Sequence, residues 1–404
     1  MYEILMTQTT LVDAIWAIYG DGPVPLHRPV FAGDEKARLM ACIDSNFVSS
    51  AGELIGEFEN RVATFTGARH AVATVNGTAA IQVALRLAGV EPGDEVITQA
   101  LTFVATVNAV AYTGAEPVFA DVDQDTLGLS PEALERFLAD AAESVPTSVS
   151  GPVSGSAGVI NRHTGRRIAA VLPMHTFGHS VRIEAIAEIC ERYGLPLVED
   201  AAEALGSWVD TNNGRRHAGT MGRLGTLSFN GNKVITTGGG GMILTDDADL
   251  AARAKHLTTT AKRPHSYEFV HDELGYNYRM PNLNAALGCA QLEQINCFLE
   301  NKRRLTDIYQ KAIAGIPGVS IMLEPEGSAS NYWLQALKID ESIASIQTGL
   351  LARASDLSIG LRPPWRPIHQ LSPYLASPRM ASLEMTEMMA MRIVNLPSSA
   401  WIAT

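Results

Sequence analysis

Short apolar runs rich in β-branched residues alternate with helical stretches through the middle of the chain. Strand-like runs lie at 71–75, 95–99, 116–120, 168–173, 195–198, 226–229 and 241–245. Helical patterns lie between several of them, for example at 78–88, 131–141 and 183–193. Strands separated by helices usually pair in parallel, with helices covering both faces of the sheet. The sequence therefore predicts an α/β fold with a mainly parallel sheet.

The pattern changes after about residue 251. We expect one long helix over Asn282–Leu305, a second over 309–316 and short strands at 319–323 and 332–337. This is typical of a smaller α+β domain. The predicted division is an N-terminal segment 1–44 that packs on the small domain, a large domain 45–255 and a small domain 256–404. A Ser-, Gly- and Pro-rich insertion, Ser144–Gly158, is expected to be a mobile surface loop, and we assign it no function.

The charge balance disfavours several classes of partner. Lys and Arg total 31 against 43 Asp and Glu, a net charge of −12, which argues against nucleic acid or an anionic membrane as the main partner. The stretch 97–115 is too polar for a membrane-spanning helix, and the first 20 residues lack a basic region. Four scattered cysteines are expected to be reduced thiols. We therefore expect a cytoplasmic protein.

Two predicted strands end in residues suited to binding a ligand, because parallel sheets bind ligands beyond the carboxyl ends of their strands. Asn76-Gly77-Thr78-Ala79-Ala80 opens a helix, where amides and a hydroxyl could bind a phosphate. A plain strand–turn–helix is the alternative. Asp200 lies at the end of an apolar strand. If its carboxylate is buried, it needs a cationic partner or several hydrogen bonds. The alternative is an acid exposed to solvent at the strand end.

A lysine lies between a third strand end and a run of glycines. Ser228-Phe229-Asn230-Gly231-Asn232-Lys233 precedes Gly238–Gly241, which a planar ligand could approach closely. Desolvation there would lower the pKa of the amine and make it a better nucleophile. The alternative is a solvated loop lysine. Together with Phe103, these features match the needs of pyridoxal phosphate: a phosphate site, a stacking ring, an acid for the ring nitrogen and an amine for the aldehyde.

The sequence resembles the DegT/DnrJ/StrS family of sugar-nucleotide aminotransferases from about Pro29 to Ser399. The motifs that carry this resemblance are 76–80, Thr102–Asn108, Glu199–Gly206, 228–233 and Leu274–Met280. The resemblance implies the fold-type-I architecture, a mainly parallel seven-stranded sheet flanked by helices plus a smaller α+β C-terminal domain. It also implies pyridoxal 5'-phosphate as cofactor in the large domain, and a homodimer with shared active sites.

The resemblance also implies roles for individual residues. Lys233 would hold the cofactor covalently and shuttle a proton, Asp200 would pair with the ring nitrogen, and Phe103 would stack on the ring. The phosphate would be bound by Gly77, Thr78, the Ala79 amide and Ser228, with Asn277 reaching it from a second subunit. Glu203 would lie next to the cofactor hydroxyl, where many relatives carry Gln, and Gly239 replaces a common Glu.

The expected reaction is amino transfer from L-glutamate to a nucleotide-linked keto-sugar, at C4, for a surface glycan. The four-glycine run resembles the branch that acts on UDP-linked 4-keto-6-deoxy-N-acetylhexosamines. Action at C3, a GDP- or dTDP-linked sugar, a lyase, or a non-catalytic cofactor-binding protein are the alternatives.

A basic and aromatic segment is the candidate substrate site, with Arg362, Trp365, Arg366 and His369 as its residues. A proline-stiffened surface loop is an equal alternative. His175 and His179 are read as ordinary loop histidines, and no metal site is expected. Tyr332 and Trp333 are read as small-domain core.

Overall fold

The computed structural model describes residues 2–20, 22–145 and 158–401. For residues 2–8 and 145 it describes the backbone alone. The helices are α1 (Tyr2–Tyr19), α2 (Glu35–Ser45), α3 (Leu54–Thr66), α4 (Gly77–Leu87), α5 (Val104–Tyr112), α6 (Pro131–Ala141), α7 (Ile183–Tyr193), α8 (Ala248–Thr258), α9 (Asn282–Glu293), α10 (Ile295–Ile313), α11 (Ile346–Asp356) and α12 (Glu384–Arg392). The strands are β1 (His70–Thr74), β2 (Glu95–Gln99), β3 (Glu116–Ala120), β4 (Ala142–Val145), β5 (Gly158–Asn161), β6 (Ile168–Leu172), β7 (Val198–Asp200), β8 (Trp208–Thr211), β9 (Gly214–His217), β10 (Leu224–Ser228), β11 (Gly241–Thr245), β12 (Val319–Ile321), β13 (Ser328–Ala329), β14 (Gln335–Ile339) and β15 (Ile393–Leu396).

Seven strands form the central sheet, in the order β1-β11-β10-β7-β6-β2-β3. Parallel bridges Val171–Leu197 and Met174–Asp200 join its two hydrogen-bonded parts. Only β11 runs antiparallel to its neighbours, since it follows β10 without the crossover helix that a parallel connection requires. The predicted α/β fold with a mainly parallel sheet is confirmed.

Helices cover both faces of this sheet. On one face α4 and α8 share a core with β1, β10 and β11, and on the other face α3 and α9 pack. The strands β2, β6 and β11 are therefore buried along their whole length. This explains why they are near-continuous apolar runs in the sequence rather than alternating ones.

A second, three-stranded antiparallel sheet, β12-β14-β15, lies in the C-terminal part of the chain. It shares a core with α1, α10 and α11, to which Leu11 and Ile15 contribute from the N-terminal segment. The buried Lys302 ties these segments together, because its ammonium donates to the carbonyls of Trp333 and Ser398. The domain limits at residues 44 and 255 stay a proposal.

The prediction of one helix over Asn282–Leu305 is wrong. The helix ends at Glu293, and α10 begins at Ile295 and continues to Ile313, which includes most of the predicted second helix. Gln294 lies between them, and its side-chain amide donates to Glu35 Oε1 at 2.6 Å. The break allows α9 to pack on the large sheet while α10 packs on the small one.

The predicted insertion lies mostly outside the described residues. Its two ends belong to β4 and β5, which pair antiparallel as a hairpin, and residues 146–157 are not described. Among the described residues, no helix is both long and apolar enough to cross a membrane. All four cysteines are free.

Candidate active site

A cavity of about 580 Å³ lies at the carboxyl ends of β1, β7 and β10. This is the edge at which parallel sheets bind ligands. The segments that follow these strands line its floor, and residues of the C-terminal part, including Trp333, Trp365 and Asn395, line its walls. A larger cleft of about 850 Å³ lies elsewhere, beside α6, and none of the residues predicted for the site lines it.

The start of α4 forms a cradle for an anion. The side chain of Asn76 caps the helix, and the first helical amides, those of Gly77 and Thr78, have no acceptor within the helix. A Cβ atom on Gly77 would lie 2.9 Å from Ser228 Cβ. Only glycine therefore allows the Ser228 hydroxyl to come this close to the helix N-terminus, a site suited to a phosphate.

One predicted phosphate ligand, the Ala79 amide, already has a hydrogen-bond partner. The Ala79 amide donates to Asn76 Oδ1 at 2.8 Å, so the helix cap already uses this N–H group. Ala79 is buried and does not line the cavity, whereas Gly77, Thr78 and Ser228 do.

Asp200 is buried at the end of β7 with two hydrogen-bond donors. The Thr106 hydroxyl donates to Oδ2 at 2.7 Å, and the Ala202 amide donates to Oδ1 at 3.0 Å. Burial raises the pKa of this carboxyl, although both donors and the charge of Lys233 oppose that effect. A cation bound next to it would favour the ionised form. Thr106 lies in the 102–108 motif, but no local pattern distinguishes it there from the other residues of the motif.

Lys233 lies in the same cavity and faces a carboxyl group. Its Nζ is 3.3 Å from Glu203 Oε1 and 3.9 Å from the centre of the Trp333 ring. The side chain of Lys233 is only 12% exposed, so the alternative of a solvated loop lysine does not hold. Trp333 was read as core; it is buried, but it also lines the site.

Glu203, the departure from the family pattern, is buried and held by two groups. Its second oxygen accepts the Phe177 amide at 2.9 Å, and Phe177 has a left-handed backbone with φ 55°. Burial raises the pKa of Glu203 to about 7, against the lowering effect of Lys233. The carboxyl therefore faces the lysine and can hold a proton near neutral pH.

Aromatic rings line one side of the cavity. The Trp365 ring centre lies 6.2 Å from that of Phe103 and 4.9 Å from that of Phe177, which in turn lies 6.5 Å from Trp333. Phe103 is 48% exposed, so a face of its ring is available to a planar ligand. Such a row of rings suits stacking on a cofactor ring or a sugar.

The structure divides the predicted substrate segment. Arg362 and Trp365 line the cavity, but Arg366 and His369 do not. His369 is buried in the 368–370 turn, and its Nε2 lies 2.9 Å from Glu387 of α12. A contact of His369 with the substrate stays a prediction.

Asn277 and the two loop histidines of the sequence analysis also lie outside the cavity. Asn277 is exposed and its Oδ1 accepts a hydrogen bond from Arg279, so any contact with the cofactor site would come from a second subunit. His175 is fully buried against Glu199 at 2.9 Å, and His179 is buried on the other side of the 176–178 turn.

The residues present fit pyridoxal phosphate. The glycine-lined cradle accepts a phosphate, Asp200 supplies a buried acid, Phe103 presents a ring face, and Lys233 presents an amine. Gly241 completes the cradle, because a Cβ atom there would lie 2.7 Å from the Gly77 nitrogen.

Comparison with known proteins identifies relatives of this chain. Residues 30–404 match the model of the DegT/DnrJ/EryC1/StrS aminotransferase family. The chain is 36% identical over 344 residues to EpsN of Bacillus subtilis, whose name describes a pyridoxal phosphate-dependent aminotransferase, covering 85% of this chain and 82% of that protein. It is 34% identical over 378 residues to GDP-perosamine synthase of Vibrio cholerae, covering 93% and 94%.

The fold is also found in solved structures. The aminotransferase TlmJ of Streptoalloteichus hindustanus superposes with a TM-score of 0.80 at 28% identity, covering 93% of this chain and 94% of that one. The chain is thus a member of the DegT/DnrJ/EryC1/StrS aminotransferase family.

Proposed function

We propose that this pyridoxal-phosphate-dependent sugar aminotransferase transfers the amino group of L-glutamate to C4 of a nucleotide-linked 4-keto-6-deoxy sugar, for an amino sugar of a surface glycan. One observation carries the proposal: a lysine with a side chain only 12% exposed, a buried aspartate and an anion cradle line the same cavity. Membership of the family supports the class of reaction.

Residues at or after the ends of four strands would hold the cofactor. The start of α4 and Ser228 would bind its phosphate, Phe103 would cover its ring, and Asp200 would hold a proton on its ring nitrogen. Once bound, pyridoxal phosphate supplies an aldehyde carbon that carries the amino group and a ring that withdraws electrons.

Lys233 would act as the proton-transfer group. Its amine reaches into the cavity from the loop after β10, and the Trp333 ring and Glu203 restrict its position. Because burial keeps Glu203 protonated up to about pH 7, this carboxyl can accept or release a proton beside the lysine near neutral pH.

Asp200 would act through its charge. Buried and bound by Thr106 and Ala202, it has a fixed orientation, and a protonated ring nitrogen would be the cation that a buried carboxylate requires. The rigid hold on both oxygens means that little reorganisation is needed during turnover.

Two observations bear on the identity of the nucleotide. The 230–241 segment resembles the branch that acts on UDP-linked N-acetylhexosamines, whereas a relative of similar length is named for a GDP-linked sugar. Arg362, exposed at the cavity wall, would bind the diphosphate of either.

The test is an amino-transfer assay on purified protein loaded with pyridoxal phosphate. UDP-, GDP- and dTDP-linked 4-keto-6-deoxy sugars and 3-keto isomers are each incubated with L-glutamate, and both products are quantified. Equal amounts of 2-oxoglutarate and of a 4-amino sugar nucleotide are expected. Carbon dioxide from the amino acid would indicate a lyase, and no turnover of any sugar would favour a non-catalytic binding protein.

A further inference from the structure

Asn395 is a polar residue within an otherwise apolar strand. It lies in β15 between Val394 and Leu396, and all four residues of the strand are buried. Its backbone pairs with Arg362 in both directions, at 2.7 and 3.2 Å. Its side-chain oxygen is buried without a hydrogen-bond partner, and among the described residues its amide nitrogen has none either.

This unpartnered amide lines the cavity that holds Lys233. Residues directly opposite each other on antiparallel strands point to the same face of a sheet. The bridge between Arg362 and Asn395 therefore places the guanidinium and the amide side by side on the cavity wall. The guanidinium of Arg362 donates only to its neighbour's carbonyl, Leu361 O, at 3.2 Å, and forms no ion pair within the part of the chain that the structure describes.

Leucine at position 395 would stabilise the fold at least as well as asparagine does. Burying an amide oxygen without a partner destabilises a protein, whereas an apolar side chain of similar size would pack with Ile393, two residues away on the same face of the strand. Polar groups that destabilise the unliganded protein are typical of binding sites, where a ligand supplies the missing hydrogen bonds.

The two ends of the amide define the chemistry of the ligand. An amide oxygen needs a donor and an amide nitrogen needs an acceptor. A hydroxyl or acylamino group offers both, whereas the carboxylates of an amino-acid donor and the phosphates of a nucleotide offer acceptors only. The guanidinium of Arg362 beside it is the group suited to the anionic ones.

We propose that Asn395 is a substrate-specificity residue whose side-chain amide binds a hydroxyl or acylamino substituent of the keto-sugar. This inference rests on the proposed function, since it requires a sugar as amino acceptor. It assigns recognition of the sugar ring to β15, separate from the recognition of the diphosphate by Arg362.

The test compares Asn395→Leu and Asn395→Asp with the unchanged protein and with Asn301→Leu, a control outside the cavity. Three quantities are measured: the rate of the L-glutamate step alone, the affinity of the loaded protein for each nucleotide sugar by calorimetry, and the melting temperature without ligand. For Asn395→Leu we expect an unchanged glutamate step, at least about tenfold weaker sugar binding, and an unchanged or higher melting temperature.

Each other result overturns the inference. A lower melting temperature of Asn395→Leu, with both steps slowed alike, would indicate a structural role. A slower glutamate step with unchanged sugar binding would assign the amide to the amino donor. Asp retains one acceptor and loses the donor, so sugar binding by Asn395→Asp equal to that of the unchanged protein would also contradict it. If the unchanged protein carries out the glutamate step but binds no sugar, the proposed function itself fails.

Discussion

Asp200 and Glu203 are three residues apart and both buried, yet they have different partners. Asp200 is bound by a hydroxyl and an amide, whereas Glu203 contacts the Lys233 ammonium and the Phe177 amide. Neutral donors fix an anion in place, while a lysine and a carboxyl at 3.3 Å exchange protons easily. At the scale of residues, the two acids therefore have different roles: Asp200 provides a fixed negative charge, and Glu203 holds a proton.

Replacing Asp200 by Asn tests its charge without removing its bulk. We expect kcat to fall by about 10²- to 10⁴-fold, because a neutral amide cannot keep a cation on the ring nitrogen. Far-ultraviolet circular dichroism and the melting temperature serve as fold controls. Turnover within a factor of three of the unchanged protein (about 0.6 kcal/mol) would rule out this role.

Glu203→Gln should change how stability depends on pH in the cofactor-free protein. The pKa of Glu203 is raised to about 7 in the folded state, so between about pH 4.5 and 7 the folded protein binds more protons than the unfolded one. The stabilisation from this group is complete below that range and is lost as pH rises through it.

Urea unfolding of both proteins at several pH values between about 5 and 8 measures this effect. We expect the unfolding free energy of the unchanged protein, relative to that of Glu203→Gln, to decrease steadily with rising pH. Titrating groups that do not interact with Glu203 cancel in this difference. A difference that stays constant over the range would show that Glu203 does not titrate there.

At the scale of elements, the anion cradle depends on close contact between α4, β10 and β11. Gly77 and Gly241 allow the backbones of α4 and β11 to approach each other. Asn76 follows β1 and caps the start of α4. Strand–turn–helix units of this kind are visible in a sequence because their determinants are local.

Gly77→Ala tests the cradle. Its Cβ atom would lie 2.9 Å from Ser228 Cβ, so α4 or β10 has to shift, and we expect the affinity for pyridoxal phosphate to fall at least about tenfold, by titration of cofactor absorbance. Gly56→Ala is the matched control, since nothing lies within 4 Å of its Cβ position. It should retain normal affinity and gain up to about 1 kcal/mol of stability within α3. Equal cofactor affinity in both variants would contradict the cradle.

Features that depend on contacts between distant parts of the chain could not be predicted from the sequence. The central sheet, the strand-end residues and Lys233 follow from local patterns and from the resemblance. The break at Gln294 does not, because it depends on a contact with Glu35. Trp333 and Asn395 lie on C-terminal segments whose apolar neighbours in the sequence indicate core. Tertiary packing brings both to the cavity, and Trp333 is held there by a hydrogen bond to Asn232 O in the loop after β10. The contact of His369 with Glu387, 18 residues away, could not be predicted from the sequence for the same reason.

At the scale of the whole molecule, we propose a homodimer that shares its active sites. The segment before Asn277 carries large exposed side chains, with Tyr267 80%, Phe269 77% and Leu274 74% exposed. Clusters of exposed apolar groups of this kind are typical of an interface, and they place Asn277 next to a partner.

The double variant Tyr267→Ser, Phe269→Ser should weaken this dimer, as measured by sedimentation equilibrium, and should lower the retention of pyridoxal phosphate. Exposed Tyr112 is the control position, as Tyr112→Ser. A fully active monomer of the unchanged protein would contradict the shared site.

The central claim is that Lys233 carries the cofactor and the amino-transfer chemistry. The most direct measurement is the absorbance spectrum of protein loaded with pyridoxal phosphate, before and after L-glutamate, for the unchanged protein and for Lys233→Ala. We expect the unchanged protein to show the long-wavelength band of a lysine-bound cofactor, and L-glutamate to abolish that band. Lys233→Ala should lack the band while keeping its melting temperature. The same band in Lys233→Ala, or no response of the unchanged protein to L-glutamate, would contradict the account.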